Sequence, residues 1–147
     1  DPHIRGSFHA MKTTTDATNM QYAVIEGVSF GILDGVNSIL KVNDNFDKIF
    51  MVGGGSRSSF WIELIASLLE RNLSVCDQSE YGAALGVARL AMHVDNNITD
   101  QNNIIKEIKI SKEYKPKIDS IDLLKKRYTI WKDLYSSNKN IASTLLA

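Results

Sequence analysis

A chain of 147 residues in which seventeen Lys and Arg balance seventeen Asp and Glu has no net charge, so no whole-chain field favours a polynucleotide, and no nucleic-acid partner is expected. That length supports one core that removes about 68–70% of the unfolded chain's surface from water, and a single domain is expected. The lone cysteine, Cys76, excludes an internal disulfide, and Asp1-Pro2-His3-Ile4-Arg5 has neither the charged nor the apolar region of a secretory leader, which predicts a cytoplasmic chain.

From Asp16 to Lys41, Met20, Val24, Val28, Ile32, Val36, Ile39 and Leu40 recur at three- and four-residue intervals, with Asp16 or Thr18 as N-cap, which predicts a long amphipathic helix. Glu26, Asp34 and Asn37 interrupt its apolar part and argue against a membrane span. Gly27, Gly31 and Gly35 share one face, and the expected use of that stripe is close packing of the helix on a sheet. Asn43-Asp44-Asn45 reads as a turn, and Lys48 to Val52 as a short strand that ends at Gly53-Gly54-Gly55.

A second helix is expected from Phe60 through Leu69, a strand over Leu73-Ser74-Val75-Cys76, and a third helix of small residues over Tyr81 to Ala91. Helix, strand, helix, strand, helix in this order implies an α/β layer with parallel pairing and right-handed crossovers. Residues 94–113, rich in Asn, Asp, Ile and Lys without a period, read as irregular. A last helix is expected at 119–136, with Ile121, Leu124, Tyr128, Trp131 and Tyr135 on its core side. His3, His9, His93 and Cys76 have no metal-ligand spacing.

The chemistry concentrates at Gly53-Gly54-Gly55-Ser56-Arg57-Ser58. A strand that ends in glycines and leads into a helix gathers open amides and the positive end of a helix dipole, which suits an anion such as phosphate. A Walker A loop fails, because Ser58, Ser59 and Phe60 stand where Gly, Lys and Ser or Thr are required. A nucleophile elbow centred on Ser56 fails at Ser58, which should be glycine. A dinucleotide fingerprint, Gly53-x-Gly55-x-x-Ser58 with Asp77 after the next strand, lacks one glycine and remains an alternative, as does a purely structural turn.

With Trp61 and the downstream run Glu80-Tyr81-Gly82-Ala83-Ala84-Leu85-Gly86-Val87-Ala88-Arg89-Leu90-Ala91, this motif resembles the C-terminal domain of the FGGY carbohydrate kinases, most of all their xylulose-phosphorylating branch. Asp1-Pro2-His3-Ile4-Arg5-Gly6-Ser7-Phe8 and Ala23-Val24-Ile25-Glu26-Gly27-Val28-Ser29-Phe30 are similar to further segments of that family. The resemblance runs from Asp1 to about His93, and Ala10 departs from it at a position where the family usually has glycine.

The resemblance implies an α/β fold, the C-terminal part of an actin/hexokinase-like (ribonuclease H-like) ATPase domain, with a partly parallel sheet flanked by helices. It implies ATP and Mg²⁺ as cofactors, and a sugar substrate, D-xylulose first, with ribulose, gluconate or glycerol as alternatives. Gly53, Gly54, Gly55, Ser56 and Ser58 are the implied nucleotide-binding residues, and Gly54 is the expected site of positive φ. Arg57 reads as a surface arginine ahead of a phosphate ligand, and Trp61 as packing beneath the turn. The family's catalytic aspartate falls upstream of the matched segments, so the chain reads as the back portion of a kinase, inactive alone and prone to self-association. A non-catalytic assembly module is the competing reading.

Overall fold

The computed structural model of the chain describes residues 4–42, 48–77, 79–95 and 109–145. The expected turn at Asn43-Asp44-Asn45 lies outside the described residues, as do His3 and residues 96–108. Where one domain is expected, the chain divides into two compact units, Asp1–Asp44 with Lys117–Ala147, and Asn45–Pro116. Each unit has its own core, of different chemistry.

In the first unit, α1 (Ala17–Leu40) starts at a reciprocal capping box. The Asp16 carboxylate accepts from the Asn19 amide at 2.8 Å, and the Asn19 side chain accepts from the Asp16 amide at 3.2 Å. The helix packs on α4 (Ile118–Leu145) through Phe30, which is 3% exposed. The Phe30 ring lies 5.7 Å from that of Tyr128 and 5.9 Å from that of Trp131, both tilted, as the quadrupoles of aromatic rings favour. Polar bonds rim this cluster: Arg127 Nη1 donates to Glu26 Oε1 at 2.8 Å, and Tyr128 Oη to Asp34 Oδ1 at 2.8 Å.

Within its own unit the glycine stripe meets a helix at one position. A Cβ on Gly27 would lie 3.8 Å from Trp131 Nε1, so Gly27 admits an indole from a neighbouring helix, while Gly31 and Gly35 would meet nothing within 4 Å. By length and composition α1 also suffices to cross a membrane. Its Glu26 and Asp34, however, are each engaged from α4. The helix expected at 119–136 is longer, because Ser136, Ser143 and Thr144 return their hydroxyls to backbone carbonyls three or four residues back, and Ala142 is buried.

The second unit runs β1 (Ile49–Met51), a 3-10 turn (Gly54–Arg57), α2 (Ser59–Leu69), β2 (Leu73–Cys76), a second 3-10 turn (Ser79–Tyr81), α3 (Gly82–Asp95) and β3 (Ile110–Tyr114). The expected parallel pairing holds between β1 and β2, with Ile49 opposite Leu73 and Met51 opposite Val75. The sheet is nevertheless mixed, because β3 pairs antiparallel on the other edge of β2, with a bulge between Val75 and Cys76. Residues 110–113, expected to be irregular, are strand. They lack the hydrophobic period because β3 is an edge strand exposed from Ile110 to Glu113, with only Tyr114 buried.

The core of this unit is aliphatic: Ile62, Leu64, Ile65, Ala66 and Leu68 of α2 and Leu73 and Val75 of β2 are buried. At the C-terminus of α2, Glu70 takes the left-handed conformation with φ 52° and its amide reaches Ala66 O. In the first unit Ala10 is left-handed too, with φ 57°, which accounts for glycine being the residue expected there. An L-residue in that region costs about 1–2 kcal/mol, and glycine returns about 0.4–1 kcal/mol of that as added freedom of the unfolded chain. Ala10→Gly should therefore stabilise the chain by about 0.5–1 kcal/mol. Scanning calorimetry should show a Tm raised by a few degrees, and a lowered Tm would contradict this account.

Candidate functional site

β1 ends at Met51, and two residues later Gly53 has φ 83° and ψ −170°. That region is essentially closed to residues with a Cβ. The left-handed position is therefore Gly53 rather than Gly54. The reversal must come before the turn begins, and Gly54 is already the first residue of the 3-10 turn.

Hydrogen bonds fix Gly53 on both sides. Its N–H donates to Ser79 O at 2.8 Å. Its carbonyl accepts from the Ser56 amide at 3.0 Å and from Ser56 Oγ at 2.7 Å. Ser79 Oγ in turn donates to Ser56 Oγ at 2.7 Å, and both serines are buried. Ser56, expected to reach a ligand, thus has its hydroxyl committed to the inside of the turn.

The other glycines differ in what surrounds them. A Cβ on Gly54 would stand in open space. On Gly55 it would lie 2.8 Å from Trp61 Cζ3 and 3.1 Å from Met51 Cε, so glycine there admits the indole beneath the turn, where Trp61 was expected. As the first residues of a helical turn, Gly54 and Gly55 have amides with no acceptor inside that turn.

Ser58 ends the 3-10 turn and caps α2. Its N–H donates to Gly55 O at 3.1 Å, and its Oγ accepts from the Trp61 amide at 3.3 Å. A hydroxyl that accepts in this way still has its own proton to offer a ligand. The five expected residues thus form one element, which presents the Gly54 and Gly55 amides, the Ser58 hydroxyl and the N-terminus of α2. Arg57 forms an exposed ion pair with Glu80 at 3.3 Å, of the kind that contributes about 0–1 kcal/mol.

Two contacts were not legible in the sequence. Ser59, the first residue of α2, bonds through Oγ to Tyr114 Oη at 3.1 Å, and this bond holds the phenol below its ordinary pKa against the opposing effect of burial. Lys112 Nζ lies 4.5 Å over the same ring. Lys112 falls in the segment read as irregular, and Tyr114 directly follows it. A Cβ on Gly82 would come within 3.3 Å of Val52 Cβ, so the start of α3 is held against the end of β1, beside the turn. Asp77, the acid of the dinucleotide alternative, is exposed and its amide donates to Lys109 O at 3.0 Å. Among the described residues no three His, Cys, Asp or Glu are grouped to hold a metal ion.

Residues 1–94 match the model of the FGGY family of carbohydrate kinases, C-terminal domain. Over 147 residues, 99% of this chain and 29% of the relative, the chain is 26% identical to the xylulose kinase of Staphylococcus epidermidis. The solved structure of a xyloylose kinase from Brucella ovis superposes with a TM-score of 0.79 at 28% identity, over 94% of this chain and 28% of that one. A gluconate kinase from Lactobacillus acidophilus has a TM-score of 0.74 at 23% identity, over 93% of this chain and 28% of that one, and shows the shared fold. The chain thus spans about three tenths of the length of the relatives it matches.

The surroundings of the glycines predict different consequences for two substitutions. Gly53→Ala forces a Cβ into the glycine-only region and should lower stability by about 1–3 kcal/mol. Gly54→Val places its side chain in open space at a helical position, where glycine has the lower propensity, and should leave stability unchanged or raise it by less than about 1 kcal/mol. Chemical denaturation of both variants checks the order, and a Gly54→Val chain less stable than Gly53→Ala would contradict this geometry.

Proposed function

Because this chain belongs to the FGGY family of carbohydrate kinases, we propose that it provides the nucleotide-binding side of an ATP-dependent sugar kinase that converts D-xylulose to D-xylulose 5-phosphate. The observation that carries the reading is the turn at Gly53–Ser58, where two open amides, a hydroxyl and a helix N-terminus converge beside a Gly54 whose missing Cβ leaves free space. Those groups fit a phosphate-bearing ligand.

In this reading Gly54 and Gly55 donate their amides to the nucleotide, Ser58 donates its hydroxyl, and Gly53 and Ser56 hold the turn that presents them. Bound ATP supplies the phosphoryl group and brings Mg²⁺ on its own phosphates. The chain's part is positioning and charge stabilisation, the main protein contributions to phosphoryl transfer. The general base toward the sugar hydroxyl is assigned to the part of the family's length that this chain does not span. A cytoplasmic location, where ATP and sugar meet, belongs to the same proposal.

Xylulose is favoured over other sugars by the curated relative named above. The gluconate kinase likeness favours a second reading, another sugar on the same nucleotide half, since the two solved structures fit nearly equally well. Self-association has its own support in exposed apolar residues, among them Val24 and Val28 of α1 and Val87 and Leu90 of α3.

Titration calorimetry of the 147-residue chain with ADP and Mg²⁺ should show saturable binding, abolished in Gly54→Val at an unchanged Tm. No heat up to about millimolar ADP would favour the assembly-module reading instead. By itself the chain should not phosphorylate xylulose. Adding the separately expressed upstream segment of a xylulose kinase relative should restore ATP-dependent phosphorylation, and activity of the chain without it would place the general base among these residues.

A further inference from the structure

Ser79 was not among the expected site residues, and it lies across the sheet's end from the turn, in the second 3-10 turn between β2 and α3. It touches the glycine turn twice. Its carbonyl accepts from the Gly53 amide at 2.8 Å, and its hydroxyl donates to Ser56 Oγ at 2.7 Å. Ser56 passes the relay on by donating to Gly53 O at 2.7 Å. The two ends of the relay therefore meet at one residue, closing a loop of hydrogen bonds around Gly53. Ser79 is 6% exposed and Ser56 8%, so water competes poorly for these bonds.

The loop acts on a residue that needs holding. Glycine at Gly53 has access to more backbone conformations than any other residue, and each of them aims the Gly54 and Gly55 amides differently. Only with φ near 83° and ψ near −170° does the chain leave β1 and enter the 3-10 turn in the observed direction. We propose that Ser79 is a positioning residue for nucleotide binding, which locks Gly53 through Ser56 so that the Gly54 and Gly55 amides are preorganised toward the phosphates. This rests on the nucleotide reading of the turn. Preorganisation of this kind raises affinity by removing the ordering cost from the binding step.

Ser79 in this role differs from a residue that merely stabilises the fold. α2 has its own aliphatic anchor in Ile62, Ile65 and Ala66, each 3% exposed or less. Loss of the relay should thus loosen the turn and leave the helix protected.

Amide hydrogen exchange and ADP calorimetry on the same chain test this. In Ser79→Ala the Gly53 amide should exchange at least several-fold faster while the amides of Ile62 to Leu68 keep their protection. ADP affinity should fall about five- to tenfold, the loss expected for one buried hydrogen bond. Ser56→Ala should give a similar loss, and the double variant should be no worse than the worse single one, because both remove the same relay. Ser79→Thr, which keeps the hydroxyl, should restore affinity. If Ser79→Thr does not fold, the non-additivity of the two alanine variants decides. A wild-type chain that binds ADP while Ser79→Ala binds it equally well, or additive losses in the double variant, would overturn the positioning role alone. A wild-type chain that binds no ADP would remove the nucleotide reading and this role with it.

Discussion

The backbone of Gly53 is the constraint on which the glycine-turn end of the sheet unit depends. β1 leads toward the sheet's end, and α2 starts a few residues on, capped by Ser58. A single residue at φ 83° and ψ −170° makes that change of direction. For a residue with a Cβ this conformation costs about 1–3 kcal/mol, comparable with the summed net value of the bonds around it at about 1 kcal/mol each. Only glycine removes the cost, so the bonds from Ser56 and Ser79 serve to select one conformation rather than to offset strain.

The helical unit is held by different physics. Phe30, Tyr128 and Trp131 form an aromatic cluster, with Tyr128 and Trp131 stacked at 6.1 Å. Its polar rim consists of groups that hydropathy alone would count against the helix: Glu26 and Asp34, each meeting a donor from α4. A long apolar helix with acids spaced along it is thus read correctly only when the donors facing those acids are known. Gly27 shows the same dependence, since its place under the Trp131 indole follows from a helix almost a hundred residues away in sequence.

Much of this was legible where periodicity and local chemistry agree. α1, α2 and β2 lie close to their expected bounds because their apolar spacing is clean and Asp16 and Ser58 are strong caps. The α/β layer followed from element order, and the actin/hexokinase-like fold from the family resemblance. β3 was illegible, because an exposed edge strand of Ile110-Ser111-Lys112-Glu113 has no alternation to detect and its pairing partner is distant in sequence. The extension of α4 through Ser136 and Asn138 was hidden by residues that usually end helices and here bond back to the helix or to Ser7. In the turn, composition marked the six residues Gly53 to Ser58 that form it, but not which hydroxyl faces in. Ser56 turns inward only because Ser79 is there to donate to it.

The glycine triplet itself shows why composition stops short of mechanism. Three adjacent glycines invite a single explanation, close approach of a ligand to main chain. The structure gives each a separate reason. Gly53 is glycine for its dihedral angles, Gly55 because Trp61 and Met51 occupy the space of its Cβ from within, and Gly54 because the space beside it is empty. The first two are requirements of folding and would hold in any protein with this turn. Of the three, Gly54 has neither a positive φ nor, among the described residues, a neighbour within 4 Å of where its Cβ would stand, and so no folding reason for lacking a side chain. The case for a ligand therefore narrows from three residues to one. It rests at the position where the chain has accepted the lower helix propensity of glycine for no gain in its own packing.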